Sequence, residues 1–237
     1  MALEDDLKSE FAEILLNKFD VRDGRVVPNS EDLALRSEAV KIEATFLYAD
    51  LAGSSKLSRN CAWDVTAKII RAYLHLASKL IRLHGGEIRS FDGDRVMGVF
   101  IGANQANDAV ACAQKIDWMI YNWLSPVALN LFNLQELGFT SINHCIGIDS
   151  GIAHAVRAGI RNNNDLIWVG QPPSFAAKLS DIRTAPYEVY TSETVMLKLS
   201  NQMKFPTGAN AFVWLPVEFE FAGGKHTVYC THWMLRP

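Results

Sequence analysis

Residues 45–55 read TFLYADLAGSS, an apolar strand that ends at Asp50 and continues into a glycine-bearing turn. Residues 91–100 read FDGDRVMGVF and place a second acid, Asp94, beside another glycine turn. Two acids held at adjacent strand ends can share a pair of divalent cations, roughly 3.5–4 Å apart. Because Mg²⁺ prefers carboxylate and phosphate oxygens, the pattern predicts a nucleoside triphosphate site and chemistry at its phosphates.

Each acid also has a purely structural interpretation. Asp50 could be a solvated strand end, and Asp-Gly-Asp turns are common for conformational reasons. Within that turn, Asp92 could form the turn and Asp94 bind the metal, or the reverse. The loop that follows Asp50 favours function, because small residues expose backbone N–H groups that can hold phosphate oxygens. It lacks the Gly-Lys-Ser/Thr of a Walker loop.

Composition indicates a folded protein in a reducing compartment. The chain has 237 residues, 49% of them hydrophobic and 21% charged, with a formal net charge of −3. This length suits one large domain with appendages, and the charge argues against a nucleic-acid partner. The acidic N-terminus does not resemble a signal peptide, and the most apolar stretch, 116–134, is too polar to span a bilayer. We therefore expect a cytoplasmic protein that does not bind membranes. The four cysteines form no CxxC pair, which argues against zinc.

Hydrophobic periodicity and turn residues divide the chain into an N-terminal extension and a main domain. The extension, 1–41, contains an amphipathic helix over 7–19 and is expected to pack on the main domain or on a second subunit. The main domain, 42–237, starts with a strand–helix–strand–strand–helix–strand order, which is the α+β ferredoxin-like pattern. The predicted strands are 42–50, 87–91, 96–101, 143–149, 152–157, 166–169 and 188–190, with a β-rich end at 212–233; the helices are 63–84, 105–123, 174–182 and 192–199. We expect 143–157 to form a hairpin around Ser150-Gly151, and Thr191 or Ser192 to cap the last helix.

Three ordered blocks, at 45–55, 85–100 and 147–179, resemble class III nucleotidyl cyclases over about residues 42–200. The resemblance implies a βαββαβ catalytic domain, here with an N-terminal helical extension and extra C-terminal strands. It implies that Asp50, Asp94 and the backbone carbonyl of Leu51 bind two divalent cations, Mg²⁺ or Mn²⁺. It also implies that the loop Ala52, Gly53, Ser54 and Ser55 binds the triphosphate. The active site would form across a homodimer, with metal acids from one chain and transition-state residues from the other.

The departures from that family concern the base and the transition state. Ser90 stands where purine cyclases usually have a Lys that reads adenine, and Ile167 where they have Asp or Thr. Neither can make the expected contacts, and losing such contacts reduces discrimination on the order of 10⁴-fold. The transition-state Asn and Arg correspond to Ser174 and Lys178, four residues apart on one helix face. Lys178 keeps a positive charge without the bidentate fork of Arg.

The runs LYADLA, FDGDRVM and AAKL, with GIR followed by NDLIWVG, resemble the pyrimidine cyclases of bacterial Pycsar antiphage systems. That branch usually has Asn at the position of Ser174. The resemblance implies formation of cyclic UMP, with cyclic CMP as the second choice, and a product that acts on a separate effector. Two rivals stay open: a purine cyclase with unusual base contacts, and a catalytically inactive nucleotide-binding module.

Other side chains are candidates for contact with the nucleotide. Tyr48 shares a strand face with Asp50 and could bound a small base, although core packing is an equal alternative. Arg95 could contact base or phosphate, although strand alternation points it away from Asp94. Arg161 lies in a polar loop and could hold a phosphate, with a plain surface role as the alternative. Lys225 is a weaker candidate of the same kind.

Overall fold

A computed structural model describes residues 2–35, 37–209 and 211–237. The chain forms two compact units, one of residues up to 43 with 152–170, the other of 44–151 with 171–237. Residues 152–170 therefore belong to the same compact unit as the N-terminal residues. The predicted domain boundary at 41/42 stays a prediction. In the part of the chain that the structure describes, no helix is both long and apolar enough to span a membrane.

The regular elements are listed here in chain order. They are α1 (Ala2–Leu16), β1 (Asp20–Asp23), β2 (Glu38–Ala52), α2 (Ser54–Asn60), α3 (Trp63–Leu83), β3 (Glu87–Asp92), β4 (Arg95–Phe100), α4 (Gln105–Met119), α5 (Ser125–Leu131), β5 (Asn143–Ile160), β6 (Asn163–Val169), α6 (Gln171–Leu179), β7 (Val189–Ser192), α7 (Glu193–Lys198), α8 (Asn201–Lys204), β8 (Leu215–Phe221) and β9 (Gly224–Thr231). Short 3₁₀ turns cover Ser30–Asp32 and Leu134–Leu137, and a π-helical turn covers Ile120–Leu124.

The larger unit has the predicted βαββαβ topology. Its strands lie in the order β3-β4-β2-β5-β7-β9-β8, and the first four of these are joined through α3 and α4 as the ferredoxin-like pattern requires. β2 pairs antiparallel with β4, and β5 pairs parallel with β7. The extra C-terminal strands β8 and β9 form a hairpin that extends the sheet. The α+β fold class is therefore confirmed.

Alternation along β2 separates the core from the candidate site. Leu47, Ala49 and Leu51 are buried in the main core together with side chains of α3 and α4. Because successive strand residues point to opposite faces, Tyr48 and Asp50 lie on the other face, where both are only half-buried. The strand thus holds an acid at the edge of a well-packed core.

The predicted hairpin around Ser150-Gly151 is wrong, since β5 runs unbroken through both residues. Gly151 has a φ of 159°, which is nearly extended backbone and continues the strand. The turn lies further on, between β5 and β6, where Asn162 adopts a φ of 67°. A glycine in a strand pattern was therefore mistaken for a turn residue.

Helix boundaries also differ from the predictions. α4 ends at Met119, and the π-helical turn and α5 follow it, where one helix over 105–123 was predicted. α6 starts at Gln171, so that both prolines lie in its first turn, and it ends before the predicted 182. Ser192 is confirmed as the cap of α7, since its hydroxyl accepts a hydrogen bond from the backbone N–H of Val195 at 3.2 Å.

The smaller unit contains α1, β1, the start of β2, the end of β5, and β6. β1 pairs in parallel with residues 38–41 of β2, and a small core holds Leu33, Val40 and Ala155. The side chains of α1 that the structure describes are exposed throughout, including Leu7 and Phe11. None of these described side chains forms a buried apolar face, and the packing of the extension on the main domain or on a second subunit stays a prediction.

A buried polar pair lies within the core of the larger unit. Asp117 on α4 and His144 on β5 are 1% and 3% exposed, and Nε2 of His144 lies 3.6 Å from a carboxylate oxygen of Asp117. Burial raises the pKa of Asp117 to about 7, and the negative field of Glu188 adds to the shift. Burial lowers the pKa of His144 to about 3. Both shifts favour the neutral forms.

Replacing Asp117 with Asn is expected to increase stability more at pH 8 than at pH 5. The pKa of Asp117 is higher in the folded chain than its ordinary 3.8, so its favourable contribution is fully present below pH 4 and is lost as the pH rises towards 7. Asn does not ionise, so the variant does not lose stability as the pH rises. Its increase in unfolding free energy over the wild type should therefore be roughly 2 kcal/mol larger at pH 8 than at pH 5. Urea unfolding of both proteins at the two pH values measures this. Equal gains at both would contradict ionisation of Asp117 in this range.

Candidate active site

The two acids lie at the ends of neighbouring strands. Asp50 stands near the end of β2 and pairs in register with Arg95, the first residue of β4. Asp94 immediately precedes Arg95 in the turn between β3 and β4, and Gly93 in that turn has a φ of 61° that favours glycine. The antiparallel pairing therefore brings the two predicted metal acids close together, as the sequence indicated.

The electrostatics of Asp50 show that the two carboxylates influence each other. Burial is the largest cause that raises the pKa of Asp50. The hydrogen bond from Arg183 lowers this pKa, and the negative field of Asp94 raises it. Two like charges in a half-buried setting attract cations, because a cation removes both the repulsion and part of the desolvation.

The structure separates the roles of Asp92 and Asp94. Asp92 is 80% exposed at its side chain and accepts a hydrogen bond from Arg95 at 3.1 Å. Asp94 is half-buried, and its field acts on both Asp50 and Tyr73. The geometry therefore favours Asp94 as the partner of Asp50, with Asp92 orienting Arg95.

Arg183 is a residue of the site that the sequence reasoning missed. Its guanidinium donates to the carboxylate of Asp50, and also to the backbone carbonyls of Ser180 at 2.6 Å and Ile182 at 2.9 Å. These bonds tie the end of α6 to the end of β2. Arg183 lies 133 residues from Asp50 along the chain, and no local spacing could have signalled the contact.

The donor set at this edge of the sheet fits a hard cation that also binds phosphate. Among the residues described, no group of three or more His, Cys, Asp or Glu could hold a metal ion. Asp50 and Asp94 supply two carboxylates, and Leu51 can supply only its backbone carbonyl because its aliphatic side chain has no donor atom. Mg²⁺ is commonly held by one or two carboxylates, with phosphates and water as the other ligands. The residues therefore fit Mg²⁺ or Mn²⁺ bound together with a nucleotide.

Tyr48 and Arg95 form a second part of the site. The guanidinium of Arg95 lies over the Tyr48 ring, 5.6 Å from its centre, and the Tyr48 hydroxyl donates to the sulfur of Met97 at 3.1 Å. Arg95 is also bound by Asp92 and by Asp181, the latter at 3.4 Å. Register pairing places Arg95 of β4 opposite Asp50 of β2, and Tyr48 lies on β2 as well, so the predicted base-pocket residues and this predicted metal acid share one strand pair.

The loop after Asp50 leads into α2. Gly53 has a φ of 79°, and nothing lies within 4 Å of the position that a Cβ would take there. Ser54 and Ser55 are the first residues of α2, where backbone N–H groups have no intrahelical acceptor. Ala52, Gly53 and Lys56 line a cavity of about 210 Å³, and the Lys56 ammonium donates to the carbonyl of Gly138 at 2.8 Å. The predicted triphosphate loop therefore borders an open space.

α6 exposes the two predicted transition-state residues. Ser174 and Lys178 are exposed, while Phe175, Ala176 and Leu179 are buried, so the predicted shared face is confirmed. Lys178 forms an ion pair with Asp181 at 3.2 Å. The helix packs closely on β5, because a Cβ at Gly147 would lie 2.1 Å from the carbonyl oxygen of Ala176.

The remaining sequence-predicted residues lie in three places. Ser90 is half-buried on β3, opposite Met97 of β4. Ile167 and Arg161 belong to the smaller unit, where Ile167 is 48% exposed on β6 and Arg161 lies in the turn before it. Lys225 forms an ion pair with Glu218 in the exposed C-terminal hairpin, at 2.8 Å. The larger unit thus contains the two predicted metal acids, Tyr48, Arg95 and Lys178.

Comparisons with known proteins give curated relatives that share one activity and a solved structure that shares the fold. No protein-family model matches the chain. A curated uridylate cyclase of Rhodovulum sp. (strain MB263) is 33% identical over 237 residues, which is 100% of this chain and 99% of the relative. A uridylate cyclase of Burkholderia cepacia is 36% identical over 225 residues, 94% and 95% of the two chains. The solved guanylyl cyclase Cya2 superposes with a TM-score of 0.68 at 18% identity, covering 83% of this chain and 95% of its own, which shows a shared fold.

Proposed function

This chain belongs to the family of the curated uridylate cyclases, a branch of the class III nucleotidyl cyclases, and from that premise we propose that it converts UTP to 3′,5′-cyclic UMP and pyrophosphate. Membership of the family makes the chain a nucleotidyl cyclase. The observation that carries the choice of reaction is the pair of mutually repelling carboxylates, Asp50 and Asp94, beside a turn that can hold phosphates. The assignment of UTP rests on the relatives and on the residues around Tyr48.

The proposed mechanism depends on positioning and charge rather than on protein acid–base chemistry. Asp50, Asp94 and the Leu51 carbonyl would hold two divalent cations, Mg²⁺ or Mn²⁺. When bound, the cations would lower the pKa of the ribose 3′ hydroxyl and stabilise charge at the α-phosphate. The backbone of Ala52–Ser55 would hold the triphosphate. The 3′ hydroxyl gives its proton to water as its oxygen attacks the α-phosphorus in line, the bond from that phosphorus to the bridging oxygen breaks, and pyrophosphate leaves.

The hydrogen-bonding groups around Tyr48 support uracil. An arginine side chain has donors and no acceptor, so Arg95 suits the carbonyl oxygens of uracil and cannot accept a hydrogen bond from the exocyclic amine of cytosine. Ser90 and Ile167 stand where purine cyclases have the residues that read adenine. Tyr48 supplies an aromatic surface of a size that suits a single-ring base. UTP is therefore the proposed substrate, with CTP as the alternative.

We also propose that the active site is completed by a second copy of the chain. Ser174 and Lys178 lie on the exposed face of α6, where they can meet a neighbouring subunit. Lys178 of one chain would neutralise the charge that develops on the α-phosphate held by the other. By resemblance to Pycsar cyclases, we propose that cyclic UMP formed in the cytoplasm acts on a separate effector during antiphage defence.

Incubation of the purified protein with UTP and Mn²⁺ is expected to give cyclic UMP and pyrophosphate in equal amounts. Mass spectrometry identifies the cyclic product, and an enzyme-coupled assay measures pyrophosphate. A matched reaction with EDTA should give neither product, because the two acids cannot bind the substrate phosphates alone. Release of inorganic phosphate without cyclic UMP would contradict cyclisation, and so would the absence of any product from UTP.

A further inference from the structure

Asp181 connects two of the cationic side chains that the proposed function uses. One of its carboxylate oxygens lies 3.4 Å from a guanidinium nitrogen of Arg95, and the other lies 3.2 Å from the ammonium of Lys178. Arg95 belongs to the proposed base pocket, and Lys178 is the proposed transition-state cation. A single carboxylate therefore contacts both functional groups at once.

The backbone holds Asp181 in an ordered turn. It lies two residues beyond the end of α6, and its N–H donates to the carbonyl of Lys178 at 3.2 Å. The hydroxyl of Ser180 donates to the carbonyl of Ala177 at 2.7 Å, and Arg183 binds Asp50. The segment around Asp181 is thus fixed both to α6 and to the metal acid, so its carboxylate has a defined direction.

Arg95 donates hydrogen bonds to two carboxylates from different parts of the chain. Asp92 binds one terminal nitrogen at 3.1 Å and Asp181 binds the other at 3.4 Å, which together set the plane of the guanidinium over Tyr48. Charge-assisted hydrogen bonds of this kind orient a planar group as well as attract it. The Arg95 side chain is 25% exposed, while those of Asp92 and Asp181 are 80% and 44% exposed, so solvent screens the pair with Asp181 less than the pair with Asp92.

We propose that Asp181 is a positioning residue that fixes Arg95 for base recognition and directs Lys178 along the exposed face of α6. This role rests on the proposed function of Arg95 and Lys178. Asp92 provides a matched comparison. Among the ion pairs described, Asp92 contacts Arg95 but not Lys178, whereas Asp181 contacts both. Loss of Asp92 should therefore disturb recognition of the base, whereas loss of Asp181 should disturb both recognition and turnover.

Steady-state kinetics of Asp181→Asn and Asp92→Asn with UTP test this assignment. Asp181→Asn is expected to raise KM about fivefold and to lower kcat about tenfold, since charge-assisted hydrogen bonds to two cations are lost. Asp92→Asn should raise KM by a similar factor with kcat changed less than twofold. Asp181→Glu keeps the charge and should recover at least half of the lost kcat. Thermal unfolding of each variant, with rates taken well below the midpoint, separates these effects from loss of fold.

An unchanged kcat in Asp181→Asn would overturn the proposal, whether or not KM changed, because Lys178 would then not depend on Asp181. Failure of Asp181→Glu to recover kcat, with its melting temperature intact, would also overturn it. If the wild-type enzyme cyclises a nucleotide other than UTP, the proposed substrate is wrong, while the proposal for Asp181 is unaffected. The same measurements of KM and kcat, made with that nucleotide, then test the role of Asp181.

Discussion

Replacing Asp50 with Asn is expected to lower kcat for cyclic UMP formation by about 10²–10³-fold, with the fold retained. An amide keeps the shape of the side chain and loses the charge that would hold a cation, and removing one well-placed charge-stabilising group commonly reduces kcat by roughly 10²–10³-fold. Asp94→Asn should have a similar effect. The fold should persist, since the half-buried Asp50 lies outside the apolar core and the change removes its repulsion with Asp94. Mass-spectrometric rates and circular dichroism measure the two properties.

Direct metal binding distinguishes this explanation from a merely structural one. Titration of Mn²⁺ in the presence of a non-cyclisable UTP analogue, followed by electron paramagnetic resonance, should show weaker binding in both variants. Glu220→Gln is a matched carboxylate-to-amide control on exposed β8, and it should bind Mn²⁺ as the wild type does. Substantial activity in both Asp50→Asn and Asp94→Asn, with normal binding of Mn²⁺, would contradict ligation by these acids.

Lys178→Ala is expected to lower kcat about 10²-fold while KM for UTP changes much less. The ammonium is proposed to act on charge that develops at the α-phosphate only in the transition state, and loss of such an interaction reduces kcat. Lys178 is exposed on α6, so the substitution should leave the melting temperature within a degree or two of the wild type. Lys178→Arg should recover part of the rate because it restores the charge.

Mixing two inactive variants tests whether the site is shared between chains. If Lys178 acts on the nucleotide held by a partner, Asp50→Asn and Lys178→Ala chains together form heterodimers with one intact site. Random pairing at equal concentrations should then restore about a quarter of the wild-type rate. Mixing either variant with Glu220→Gln serves as a control for simple dilution. No recovery in heterodimers verified by mass spectrometry would show that each chain completes its own site.

The part of the fold that depends on local pattern could be predicted from the sequence. α3 was predicted within one residue, because its apolar positions repeat with helical spacing and Gly85 ends it with a φ of 76°. The placement of Asp50 near the end of β2, and of Asp94 in the turn before the neighbouring strand β4, followed from the βαββαβ order. The smaller unit was not predicted as a unit, because it joins 152–170 to residues up to 43, a grouping that depends on long-range strand pairing.

The polar network of the site could not be read from the sequence. Arg183 contacts Asp50 across 133 residues, and Asp181 contacts Arg95 across 86. Asp181 lies inside the predicted helix 174–182 and Arg183 directly follows it, in a segment whose charges look like an ordinary solvated surface. Only the packing of α6 against β5, which Gly147 permits, brings that segment to the end of β2. Tertiary contact therefore decides which surface charges belong to the site.

Two carboxylates, with Tyr48 and Arg95 beside them, are proposed to select UTP for cyclisation. A single reaction that contains equal concentrations of UTP, CTP, ATP and GTP with Mn²⁺ tests this selection most directly, because all four compete for one enzyme. We expect cyclic UMP to be the main product by mass spectrometry, with cyclic AMP and cyclic GMP as minor products. Cyclic CMP, cyclic AMP or cyclic GMP as the main product, or no cyclic nucleotide at all, would contradict selection of UTP.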